Sequence, residues 1–174
     1  MKKIPFPAFV FFYLCYLIVL NQLSALPIGS EVPDVTAVDQ DGNLVSLRKV
    51  AQNGWVLFYF YPKAETPGCI REAHSLKDNY KQLLDNGIKV YGISMDTVEA
   101  QKKFKENHQL PFTLLADPEG KVVDKFGVPK KYGMASRQSF LAKEGKIVWF
   151  NLHVNPDGHA QEVLEVVKKI KESS

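Results

Sequence analysis

The chain has 174 residues, 45% hydrophobic and 24% charged, with a formal net charge of +3. That length and balance give one globular domain with a sizeable core. Without a basic block or aromatic–basic interleaving, nothing points to nucleic acid. Two cysteines allow no disulfide framework and leave too few ligands for a thiolate metal cluster.

The N-terminus stands apart. Met1-Lys2-Lys3 is a short basic start, and Ile4 to Leu20 is almost wholly apolar, though Pro5 and Pro7 interrupt it. Asn21 to Ala25 is a polar region ending in a small residue, so cleavage after Ala25 is expected. The unbroken apolar run from Ala8 to Leu20 is 13 residues, short of the ~20 that span a bilayer. Residues 1–25 therefore read as a signal peptide, with a membrane anchor as the alternative. In either case residues 26–174 form an exported domain, periplasmic or otherwise extracytoplasmic. Cys15 lies in the leading segment, so that domain holds a single thiol, Cys69.

Along the domain, Val35 to Val38 and Leu44 to Leu47 flank Asp39-Gln40-Asp41-Gly42-Asn43, whose Asp-Gly predicts a hairpin. Arg48 to Gly54 reads as a connector. Trp55 to Tyr61 is a continuous apolar and aromatic run, the pattern of a buried strand. From Arg71 to Leu84 the residues Ala73, Leu76, Tyr80, Leu83 and Leu84 recur at helical spacing, and Asn86-Gly87 caps that helix. Ile88 to Ser94 is the next strand. Asp96-Thr97-Val98-Glu99 has capping-box spacing with the acid as cap, opening a helix to about His108. A short strand over Phe112 to Leu115, a turn at Asp117 to Gly120 and a short helix around Lys121 to Phe126 follow. Ser139 to Ala142 and Ile147 to Asn151 form a second hairpin, and a last helix carries Ala160, Val163, Leu164, Val167 and Ile170 on one face. This order predicts an α/β sandwich with a mixed central sheet flanked by helices.

The chemistry points to Cys69. It follows a strand and a Pro-Gly turn and sits at the head of the apolar helical stripe, four residues before Ala73. The free N–H groups and positive dipole end of a helix start favour a thiolate there. Thr66-Pro67-Gly68-Cys69 has the spacing of a Cys-x-x-Cys redox motif with Thr66 in the first cysteine's place. Without a partner thiol, a dithiol–disulfide cycle cannot run within one chain. A hydroxyl three residues ahead can instead donate a hydrogen bond to the thiolate or to an oxygen beside it, which suits attack on an O–O bond.

In this setting, Tyr59-Phe60-Tyr61-Pro62-Lys63-x-x-Thr66-Pro67-Gly68-Cys69-x-x-Glu72 resembles the active-site signature of the peroxiredoxins, and more narrowly of their bacterioferritin-comigratory (PrxQ-like) subfamily. The resemblance runs on through Ile88 to Ser94, Leu110 to Gly120, Ser136-Arg137-Gln138-Ser139-Phe140-Leu141 and Gly158-His159-x-x-Glu162-Val163-Leu164, about residues 27–170. It implies a thioredoxin-like fold and thiol-dependent reduction of hydrogen peroxide and organic hydroperoxides, in antioxidant defence and without a cofactor or metal. By the same resemblance Cys69 becomes a sulfenic acid, Thr66 orients the peroxide and Arg137 holds the thiolate and polarises the O–O bond. Pro62, Pro67 and Gly68 shape the pocket, Pro67 shielding the sulfur, and the N–H groups of Gly68 and Cys69 serve as donors. One position departs. Many members carry a resolving cysteine five residues after the reactive one, and here that residue is His74. Five residues turn a helix by about 140°, so His74 points away from Cys69. A one-cysteine cycle is then implied, with an external thiol reductant of thioredoxin or glutaredoxin type and a monomeric protein.

By residue type alone, Cys69 is a small buried hydrophobe, Thr66 a helix cap and Arg137 a surface arginine. Their order within one signature outweighs those readings. His74 and Lys63 read as solvated, and His153 and His159 have no acid or cysteine beside them in sequence. Two other functions remain open: an exported thiol–disulfide exchange protein, and a non-catalytic binding module on the same scaffold.

Overall fold

The fold is taken from a computed structural model that describes residues 26–173. The signal or anchor segment and Cys15 lie outside the described residues. Among those residues no helix is long and apolar enough to cross a membrane.

Seven strands form one sheet in the order β2-β1-β5-β4-β3-β8-β9. They are β1 (Thr36–Asp39), β2 (Leu44–Ser46), β3 (Trp55–Phe60), β4 (Ile88–Ser94), β5 (Thr113–Ala116), β8 (Gln138–Lys143) and β9 (Lys146–Asn151). Strands β3, β4 and β5 run parallel, while β1 pairs antiparallel with β5 and β8 pairs antiparallel with β3. The sheet is thus mixed, as expected, with antiparallel hairpins closing both sides of a parallel centre. A small ladder that the sequence reading missed, β6 (Lys130–Lys131) with β7 (Met134–Ala135), precedes β8.

Every residue of β3 is buried, because the strand is central and covered on both faces. Trp55, Leu57 and Tyr59 pack toward Cys69, Ala73, Leu76, Ala160 and Val163. Val56, Phe58 and Phe60 pack against Leu47, Ala51, Val122 and Phe126 on the other face. The helices are α1 (Leu47–Ala51), α2 (Pro67–Asp78), α3 (Tyr80–Asp85), α4 (Val98–His108), α5 (Lys121–Lys125) and α6 (His159–Glu172).

Three local expectations are corrected. The connector after β2 contains helix α1, started by Ser46, whose hydroxyl accepts from the Lys49 N–H at 3.3 Å. The single helix expected up to Leu84 is two, broken at Asn79, whose side-chain amide donates to the Ser75 carbonyl at 2.9 Å while its N–H turns to Lys77. The break rotates Leu84 out of the stripe, leaving it exposed. Helix α4 is capped by Thr97, not Asp96: the Thr97 hydroxyl accepts from the Ala100 N–H at 3.3 Å.

Asp96 is spent on the loop that leads from β3 to α2. Its Oδ2 accepts from the Ala64 N–H at 2.8 Å and from the Ser94 hydroxyl at 2.6 Å. One residue later Glu65 takes a left-handed backbone, φ 62°, that a side chain disfavours. Its carboxylate accepts from the Asn107 amide at 2.8 Å and lies 2.9 Å from the His108 Nε2, so α4 holds the loop in that conformation. The His108 ring, then Asn107 and Lys103, keep the Glu65 carboxyl below its ordinary 4.5 against a smaller opposing effect of burial.

Behind the loop, Tyr59 lies over Gly92 of β4, directly opposite in register. A Cβ there would stand 2.7 Å from the Tyr59 ring tip and 2.8 Å from Leu114. Gly92→Ala should therefore overpack the core by ~2 kcal/mol, lowering Tm in thermal denaturation by about 4–8 °C. A Glu65→Gln chain checks the loop tether. The ionised carboxylate is favoured in the fold, so its contribution is complete above the unfolded value and lost as pH falls through the depressed folded one. Solvent screening keeps it under ~1 kcal/mol. The wild type should melt above the variant at pH 7, and the difference should shrink as pH falls below the ordinary glutamate range.

Candidate active site

Chain order explains how the site assembles. Strand β3 ends at Phe60 and the tethered loop carries the chain to Thr66, the N-cap of α2. Pro67 occupies the first helical position, where its missing N–H costs nothing. The Ile70 N–H is bonded to the Thr66 carbonyl at 2.9 Å. The N–H groups of Gly68 and Cys69 thus belong to the opening turn, where a helix has no acceptor of its own to offer. Cys69 is free and 1% exposed.

Arg137 comes from the residue just before β8. Its Nη2 donates to the Cys69 Sγ at 3.3 Å, and its Nη1 is ion-paired with the Glu72 Oε2. Gly68 leaves the guanidinium room, since a Cβ there would make a tight contact of 3.1 Å with Nη2. Burial, which opposes the charge, is outweighed by Glu72 and then Cys69, so Arg137 is held above the ordinary arginine value. The guanidinium stays charged.

Glu72, three residues after Cys69 and on the same inward stripe, has no exposed surface. Its second oxygen, Oε1, lies 3.1 Å from Nδ1 of His159, the first residue of α6 and also fully buried. On the far side of that ring, Nε2 is 2.8 Å from the Ser139 hydroxyl. Cys69, Arg137, Glu72, His159 and Ser139 thus form one chain of polar contacts through the core. Tyr59 stacks edge-on to His159, with ring centroids 5.9 Å apart, and its buried hydroxyl has no hydrogen-bond partner among the described residues. Burial first, then Tyr61 and Glu72, push that hydroxyl well above the ordinary tyrosine value.

Of the residues singled out in the sequence, Cys69, Arg137 and Gly68 meet directly. The Thr66 hydroxyl neither caps α2 nor reaches toward the helix N–H groups; it donates to the Lys63 carbonyl at 2.9 Å. Pro67 is exposed at the helix start. Pro62 borders a depression of about 420 Å³ with Met95, Ala100 and Met134. Arg137 borders another of about 430 Å³ with Pro129, Leu152 and Val154. His74 is not a solvated residue: it is half-buried, its Nε2 3.2 Å from the His108 Nδ1. Glu72 and His159, to which the sequence reading gave no role, belong to the centre. A charged residue on a buried stripe was the available signal for Glu72.

The sequence model of the AhpC/TSA family matches residues 28–150. A putative peroxiredoxin bcp of Coxiella burnetii is 39% identical over 150 residues, spanning 80% of this chain and 97% of that one. Among solved structures, peroxidoxin BcpB of Mycobacterium tuberculosis superposes with a TM-score of 0.77 at 31% identity, covering 83% of this chain and 98% of that one. The bacterioferritin comigratory protein of Xanthomonas campestris, solved to explain its alkyl peroxide reduction activity, gives 0.74 at 29% identity, covering 84% and 98%. The thioredoxin-like sheet agrees with these relatives, and the chain belongs to the AhpC/TSA family as a peroxiredoxin of the Q/bcp type, a thiol-dependent peroxidase.

Proposed function

We propose that the chain reduces hydrogen peroxide and organic hydroperoxides through Cys69 alone, and that a thiol from outside the chain completes the cycle. The observation that carries this reading is the Arg137 Nη2 at 3.3 Å from the Cys69 Sγ. A guanidinium there stabilises the thiolate and faces the oxygen pair that the sulfur attacks.

The Cys69 thiolate attacks one peroxide oxygen, the O–O bond breaks, and the departing alkoxide or hydroxide takes a proton to leave as alcohol or water. Sulfur is oxidised to the sulfenic acid. An external thiol then displaces water to form a mixed disulfide, and a second thiol releases Cys69 and leaves as the external disulfide. The N–H groups of Gly68 and Cys69 stabilise the leaving oxygen. Thr66 acts differently from the donor role expected for it. With its proton committed to Lys63, its oxygen accepts from the O–H of the entering hydroperoxide and so orients it. The depression lined by Pro129, Leu152 and Val154 beside Arg137 supports an organic substituent on the peroxide, an activity reported for the Xanthomonas relative.

His74, in the place of a resolving cysteine, is engaged by His108 of α4, which supports resolution by an external thioredoxin- or glutaredoxin-like thiol. The apolar run in residues 4–20 supports export, and intact mass of the protein recovered from its cell should then begin at Leu26.

Peroxide consumption by the full-length chain under dithiothreitol, beside Cys69→Ser and Cys15→Ser, tests the reading. Cys69→Ser should lose turnover and the dimedone-trapped sulfenate, while Cys15→Ser keeps both. Equal, slow consumption by all three would leave a carrier or binding role instead. Thr66→Val should lower the second-order rate constant with peroxide by about 10- to 100-fold, and Thr66→Ser, which keeps the hydroxyl, should recover most of it in stopped-flow measurements.

A further inference from the structure

Arginine has two N–H edges to offer a carboxylate, and a fork-to-fork pair using both is its preferred arrangement. In this site that arrangement would be harmful. Nη1 is bound to Glu72 Oε2 while Nη2 is turned to the Cys69 sulfur. If Glu72 offered both oxygens to Arg137, the guanidinium would turn off the sulfur to meet them. Something has to keep Oε1 occupied.

The residue facing Oε1 is His159, with its Nδ1 at 3.1 Å. Neither atom has a hydrogen-bond partner among the described residues; they face each other at ion-pair distance with an alignment short of a hydrogen bond. A carboxylate can only accept, so the ring proton on this side sits on Nδ1. On the other side of the ring, Nε2 lies 2.8 Å from the Ser139 hydroxyl of β8. The groups facing the imidazole are Glu72 from α2, Ser139 from β8 and the ring of Tyr59 from β3. The start of α6 is itself fixed on α2: the Ala160 N–H donates to the Ser75 hydroxyl at 3.3 Å, and Asp157 pairs with Arg71 at 3.0 Å.

We infer that His159, locked by Ser139, is a positioning residue for peroxide reduction: it holds the inner oxygen of Glu72 so that Arg137 keeps one edge free for the Cys69 sulfur. A buried imidazole used only to fill space would have no reason to turn both ring nitrogens toward polar groups, since an apolar side chain fills space at lower cost. The inference rests on the peroxidase reading for its consequence, but the hold of His159 on the sulfur can be read without peroxide.

The test compares His159→Gln with His159→Asn in the full-length chain. The asparagine amide nitrogen falls near the position of Nδ1 and can still serve Glu72. The longer glutamine carries its amide toward Ser139 and past the carboxylate. Two quantities are read: the rate of Cys69 sulfenate formation with hydrogen peroxide, and the pH of half-maximal alkylation of Cys69 followed on its own peptide by mass spectrometry. His159→Gln should slow sulfenate formation by about tenfold and move the alkylation midpoint upward, with circular dichroism unchanged. His159→Asn should restore most of both. A glutamine variant equal to wild type in both readouts, or an asparagine variant no better than glutamine, overturns the inference. Should either substitution prevent folding, Ser139→Ala decides: a smaller shift in the same direction supports the lock, and wild-type values sink it. A wild type that ignores peroxide would defeat the peroxidase reading, while the alkylation comparison would still decide the role of His159.

Discussion

A carboxylate with no exposure to water stays ionised only if positive or hydrogen-donating groups replace the water it has lost. Glu72 is that carboxylate, and the arrangement around the reactive sulfur depends on it. Its outer oxygen holds Arg137 and its inner oxygen faces His159. The three groups come from α2, the residue before β8 and the start of α6, so one buried charge fastens the helix that carries Cys69 to both neighbouring elements. As a source of stability the pair is unremarkable, since apolar residues of equal volume often serve as well. Its value lies in orientation: a guanidinium anchored at one edge can aim the other.

The rest of the fold serves that aim. Placing β3 at the centre of the sheet, covered on both faces, gives the Cys69 loop a rigid origin. The loop is then fixed twice, by Asp96 at Ala64 and by α4 at Glu65, where a left-handed residue would otherwise relax. Gly92 and Gly68 work by absence. The first makes room for the Tyr59 ring and the second for the Arg137 guanidinium, each at a distance where a methyl group would intrude.

Much of this was legible in the sequence because it is local. The β3 run, the Pro-Gly turn and the helical stripe after Cys69 are short-range patterns, and they placed the thiol at a strand-to-helix junction. Arg137 was reached through its place in the family signature, because nothing in Ser136-Arg137-Gln138 marks it as facing a sulfur so far back in the chain. What stayed hidden depends on long-range partners or on one side chain choosing between two acceptors. Asp96 had the spacing of a cap but was drawn to Ala64, leaving Thr97 to cap α4. Asn79 broke a helix by bonding backward to Ser75. His159 had no acid beside it in sequence because its acid is supplied by α2. Glu72 was the overlooked clue: an ionisable residue on a buried stripe obliges some distant residue to face it.

The same long-range ties bear on how the sulfenic acid would be resolved. A resolving thiol within α2 could reach Cys69 only if the helix unwound, since five residues carry it about 140° around the axis. Here α2 is held along its length, by Arg137 at Cys69 and Glu72, by Asp157 at Arg71, by His108 at His74 and by Ala160 at Ser75. Unwinding it would break the buried Glu72 contacts, and exposing half of a buried ion pair costs ~3–5 kcal/mol. With histidine at the resolving position, no step of the proposed cycle asks for that unwinding. In the proposed cycle an external thiol asks only that the sulfur, 1% exposed in this fold, be uncovered, and the buried Glu72 contacts of α2 need not be given up.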